Sequence, residues 1–143
     1  MNDGFLNLLN ASDLFNKLEH DYDIYIQNPL DIYLAFNFFV TAEHLPDWIG
    51  DTGIKDNDPI LRISSHLTTG AKHFSVTNKK KKSIDTTSVK VFANSNNTYL
   101  EVRHSITLTP KEVKELGYEQ ILLTDLASLV ISFWRSHFEN ENT

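Results

Sequence analysis

Glu43, His44 and Asp47 fall within five residues of one another, the first place in this sequence where side-chain spacing could support chemistry. On a helix, Glu43 and Asp47 are i,i+4 and His44 and Asp47 are i,i+3, so the three lie on adjacent turns. A carboxylate beside an imidazole fixes its tautomer and favours its charged form, which prepares it for general-base work. Two carboxylates and one imidazole are also acceptable to zinc, manganese or iron. However, a metal would need a further ligand from another helix, and the chain has no His-Glu-x-x-His pattern. No metal and no cofactor is assigned.

A second set follows. At about 100° per residue, Arg62, His66, Thr69 and His73 share one helical face with Lys72 alongside, opposite an apolar stripe of Ile60, Ile63, Ser64, Leu67 and Ala71. Such a face suits an anion or phosphodiester, with histidine as acid or base and arginine or lysine stabilising phosphoryl charge. The plain alternatives are a polar helix end for the first set and a solvated helix face for the second. The catalytic candidates are therefore Glu43, His44, Asp47, Arg62, His66, Lys72 and His73.

The elements that must position them can be read in order. Ser12 or Asp13 looks like the N-cap of a first helix, which Leu14, Phe15, Leu18, Tyr22 and Tyr25 carry to about Gln27. Asn28-Pro29 restarts the chain with a cap and a proline in the first helical position. Leu30, Tyr33, Leu34, Phe36, Phe38 and Val40 then build a helix apolar nearly all round, a type normally buried among neighbours. Pro46 lacks an amide hydrogen, so the helix should kink or end there and present the Glu43 cluster. Residues 51–58 read as a loop. Asp58-Pro59 opens a third helix to about His73.

Residues 75–87, including the run of four lysines at 79–82, read as a mobile loop, and about 88–108 as a β-hairpin turned by Asn94-Ser-Asn-Asn97. Thr109-Pro-Lys-Glu112 reads as a capping box opening a short helix that Gly117 stops. A last helix spans 118–139, with Leu122, Leu126, Leu129, Val130, Phe133 and Trp134 at core spacing. The expected fold is mainly α, a bundle of four to five helices with one hairpin (α+β), in a single domain over 1–143.

Composition narrows the function classes. At 143 residues and 41% hydrophobic the chain can bury a real core. It has no cysteine, hence no disulfide and no thiolate chemistry, which fits a cytoplasmic setting. The N-terminus lacks the basic and apolar regions of a signal peptide, and no apolar run is long enough to span a membrane. The net charge of −6 is uneven, because residues 1–51 hold nine acids and one base, Lys17. That surface repels a nucleic-acid backbone and argues against broad DNA binding.

At Phe36-Asn-Phe-Phe-Val-Thr-Ala-Glu-His-Leu-Pro-Asp-Trp48, with Gly70-Ala-Lys-His-Phe74 and Phe133-Trp-Arg135, the chain resembles a group of small uncharacterised bacterial and phage proteins. The helix pair closed by Lys72-His73 also resembles, more loosely, the HEPN superfamily. This resemblance implies a small helical domain, often dimeric, of toxin–antitoxin, abortive-infection or RNA-cleaving defence systems. Active HEPN members carry an arginine and a histidine on one helix, with four to six residues between and a polar residue after the arginine. Arg62-Ile-Ser-Ser-His66 has three between, and isoleucine follows the arginine, so the signature is not met. The expectation is a small acidic helical accessory or interaction protein of bacterial or phage defence, with a protein partner or a second copy of itself. The alternative is a HEPN-like ribonuclease or nucleotide-handling enzyme, whose partner would be RNA or a nucleotide.

Overall fold

The computed structural model describes residues 4–73, 84–93 and 100–141, with side-chain surroundings for 4–69 and 104–141. The lysine run and the 94–97 turn lie outside the described residues. Helices α1 (Ala11–Gln27) and α2 (Ile32–Trp48) form a hairpin, followed by a single turn, α3 (Ile54–Asn57), and by α4 (Pro59–His73). Strands β1 (Ile84–Ala93) and β2 (Leu100–Leu108) come next, then α5 (Pro110–Leu116), β3 (Gln120–Leu122) and α6 (Leu123–Glu141). The mainly helical α+β architecture is the one expected.

Local chemistry sets the boundaries, with several shifts from expectation. Asn10, not Ser12 or Asp13, caps α1, its side chain accepting from the Asp13 amide at 2.9 Å. Asp13 in turn accepts from the Leu9 amide. The cap of α2 is Asp31, which takes the Tyr33 and Leu34 amides, while Asn28 closes α1. Both shifts leave an unpaired helix-end donor satisfied by a side chain. Pro46 lies in the last turn of α2 and has no amide hydrogen to give the Ala42 carbonyl, yet the helix does not end there and runs on to Trp48. Asp58 caps α4 as expected, accepting from Ile60 at 2.8 Å. Gly117 ends α5 at φ 85°, a left-handed conformation costly for any residue with a Cβ.

Two departures have non-local causes. Strand β1 already includes residues 84–87, expected as loop, because they continue the antiparallel ladder with β2 as far as Ile84 opposite Leu108. Residues 120–122, expected as the start of the last helix, instead pair with Ser105, Ile106 and Thr107 of β2. The Leu108 amide also donates to the Glu119 carbonyl at 2.9 Å. A strand edge offers a row of backbone groups, and satisfying it outweighs the helical preference of three residues.

The core joins α1, α2, α4, β2, β3 and α6. Leu14, Leu18 and Tyr25 of α1 meet Phe38, Phe39 and Leu45 of α2, Leu61 and Ile63 of α4, Ile106 and Leu108 of β2, and Ile121 of β3. Leu126, Val130, Ile131, Trp134 and Phe138 run along the buried side of α6. Tyr25–Phe38, Lys17–Thr41 and Asp21–Thr41 contacts make α1 and α2 antiparallel. The stacked Phe15–Phe138 pair and the two-pronged Arg135–Glu19 ion pair, at 2.7 and 2.6 Å, align α6 against α1. No helix among the described residues is long and apolar enough to cross a membrane.

Candidate functional site

The position of each residue around α2 decides what the first cluster can do. Ala35, Phe38, Phe39, Thr41, Ala42, Leu45 and Pro46 are buried and occupy one side of the helix. His44 and Asp47 are exposed on the other side. Glu43 lies at the border and turns towards α3 and α4, where its Oε1 accepts from the Lys55 ammonium at 3.1 Å and the Ser65 hydroxyl at 2.9 Å. The three residues of the cluster are thus divided, with one carboxylate engaged in packing and an imidazole and a carboxylate facing solvent.

The second cluster is divided as well. Arg62, His66 and Thr69 share a face of α4, but that face is covered rather than solvated. Arg62 sends Nε and Nη2 to the two carboxylate oxygens of Glu112 at 3.2 and 2.8 Å, and Nη2 also reaches Glu115. Glu112 is 1% exposed, so α5 is latched onto α4 through a buried ion pair. The hydrogen bonds that Arg62 donates to Glu112 raise its pKa against the opposing effect of burial, with Glu115 adding to the rise. The expected capping box at Thr109 does not form, because Glu112 is turned to Arg62 and the Thr109 side chain caps no amide.

His66 is buried, and the Thr69 hydroxyl donates to the Ser65 carbonyl at 2.9 Å. The backbone of Lys72 and His73 belongs to α4, while their side chains lie outside the described residues. The two clusters do approach each other, through Glu43 and Ser65, but His44 and Asp47 take no part. Among the described residues, no three His, Asp or Glu side chains are grouped to hold a metal.

Neither Lys55 nor Ser65 stands out in the sequence. Lys55 sits in a segment that reads as polar loop, and Ser65 carries no signal beyond its place between Arg62 and His66. A further polar layer lies between α1 and α2. Asp21 and Thr41 are buried, and the Lys17 ammonium reaches Asp21 at 2.5 Å, Thr41 at 2.8 Å and Asn37 at 3.3 Å. Lys17, the sole base of residues 1–51, is therefore committed to packing.

The side chains left over are apolar. Ile32, Tyr33 and Phe36 are 58%, 80% and 54% exposed, and Leu30 just before them is 47% exposed. At 3.6 residues per turn these three α2 residues fall within about a third of the helix circumference, on the same side as His44 and Asp47. A helix expected to be buried all round is therefore bare along one stripe. Elsewhere, an open depression of about 520 Å³ lies between the β3 edge and α6, lined by Tyr118, Gln120, Leu122, Asp125 and Leu129 among others.

Comparison with protein families, curated proteins and solved structures finds no match to this chain.

Proposed function

We propose that this chain is a protein–protein interaction subunit that docks through the bare stripe of α2. The observation carrying this reading is the exposure of Ile32, Tyr33 and Phe36 on one face of a well-capped helix. Contiguous large apolar side chains are costly to leave in water, and such patches mark interaction surfaces. Aromatic residues are also the usual anchors of interfaces.

The competing reading, a HEPN-like ribonuclease, needs Arg62 at a phosphate. Its guanidinium is already satisfied by two carboxylates, and moving it to a phosphate would break a two-pronged pair with the buried Glu112. RNA cleavage by the purified chain, abolished in His66→Ala, would overturn the interaction reading. To test that reading directly, a photo-crosslinking residue is placed at Phe36 and, as a control, at the exposed Ser136 of α6. A product of discrete mass from position 36 alone is the expected result. Equal labelling from both positions, or none from position 36, sinks it.

A further inference from the structure

We infer that the element docking on α2 is a cationic amphipathic helix of a partner protein, an inference that rests on the interaction reading above. The stripe from Ile32 to Asp47 is about 22 Å long at 1.5 Å per residue, the length of a four-turn helix. Its first half is apolar, with Ile32, Tyr33 and Phe36, while its far end carries His44 and Asp47. Ile24 of α1, also exposed, is two turns beyond Lys17 on the same side of that helix. Since α1 and α2 are antiparallel and Lys17 touches Asn37 and Thr41, Ile24 lies beside the first turns of α2 and widens the apolar strip. Helix-in-groove recognition asks for such a strip, read by apolar side chains spaced three and four apart.

Charge selects the occupant. Residues 1–51 hold nine acids and a single base. That base, Lys17, is held by Asp21, Thr41 and Asn37. Asp47 and Asp51 make no ion pair among the described residues, and Asp31 stands at the near end of the stripe as the helix cap. A second copy docking the same face would set acid against acid, which costs affinity and slows encounter. A partner helix with lysines or arginines flanking its apolar side gains on both counts.

The test uses the full chain and three synthetic peptides of about eighteen residues, long enough to cover the stripe. One has leucines at helical spacing with lysines elsewhere, one replaces each lysine by glutamate, and one has the lysine composition with the leucines scrambled. The expected result is binding of the leucine–lysine peptide about tenfold or more tighter than either of the others, with NMR shifts confined to α2 and the adjoining side of α1. Binding should weaken about tenfold in the Tyr33→Ala/Phe36→Ala double variant. It should also weaken severalfold in Asp47→Asn/Asp51→Asn and with added salt. Equal binding of the glutamate peptide to the stripe would overturn the cationic partner and leave the docking face standing. Self-association that Tyr33→Ala/Phe36→Ala removes, with no peptide bound, would make the occupant a second copy. Binding of the scrambled peptide as tightly as the first, indifferent to Tyr33 and Phe36, would defeat both readings.

Discussion

Two regions of this molecule use their side chains in opposite ways. Between α2, α4 and α5, charged and polar groups are drawn inward: Arg62 against Glu112 and Glu115, and Glu43 against Lys55 and Ser65. Along the outer side of α2, large apolar groups are left in water, Tyr33 at 80% exposure being the extreme. A buried ion pair adds little net stability over an apolar contact of the same shape, yet it is punishing to break. An exposed aromatic adds little to folding and is easy to remove. Arg62 and Glu43, which suggest catalysis, are thus holding elements together, while His44 and Asp47 stand in water. The residue types that suggest core are the ones free to meet another molecule.

The sharpest way to break this contrast is to remove Arg62. Arg62→Ala takes from the buried Glu112 carboxylate the guanidinium that holds both its oxygens, and the expected loss is about 3–5 kcal/mol of folding stability. Glu115→Ala, at the more exposed end of the same fork, should cost about 1 kcal/mol or less. Urea unfolding of both variants measures the difference. If Arg62→Ala folds with unchanged stability, the latch between α4 and α5 is not structural and the guanidinium is available for other chemistry. The sign of pH dependence follows from the raised Arg62 pKa. A group whose folded pKa is raised stabilises below its unfolded pKa and loses that contribution only as pH rises through the folded value. The Arg62 contribution should therefore be constant from about pH 6 to about pH 10, far below any arginine titration.

A smaller effect is expected between α1 and α2. Thr41→Val keeps the shape but removes the hydroxyl that accepts from Lys17 and donates to Asp21 at 3.2 Å. The expected cost is about 1–2 kcal/mol, because Asp21 stays buried with one partner fewer. Ser65→Ala should cost about 1 kcal/mol, since the half-buried Glu43 keeps Lys55 and some water. An effect of either substitution on a binding or cleavage assay, with no loss of stability, would reverse the division between the two regions.

How far the sequence discloses this division depends on the range of the interactions. Asp58-Pro59 and Gly117 act within a few residues, and both mark helix ends where expected. The alternation of β2 is equally local, and it places Ile106 and Leu108 in the core. Strand β3 was illegible because its three residues are decided by the free edge of β2, more than ten residues away. Glu112 misled for the same reason: its spacing from Thr109 fits a capping box, but the guanidinium fifty residues earlier competes for its carboxylate. The apolar circumference of α2 is visible in the sequence, whereas the exposure of Ile32, Tyr33 and Phe36 on one side of it is not. That depends on how α1, α4 and α6 share the core, which no spacing within α2 encodes.

The finest test of the contrast is on stability, where almost nothing should happen. Tyr33→Ala and Phe36→Ala remove the two largest exposed groups of α2 without touching its cap, since Asp31 bonds to the Tyr33 backbone and not its ring. Alanine has the higher helix propensity, by roughly half a kcal/mol relative to an aromatic residue. Rings that stand mostly in water pack only weakly on their own helix, so their removal takes little from the fold. The net change should lie within about 0.5 kcal/mol of zero for each, and either sign is acceptable. Thermal unfolding of the double variant resolves this. A loss of about 2 kcal/mol or more would exceed what such surface substitutions do and mean that the rings support the fold. The stripe would then lose its claim to be a surface held ready for a partner.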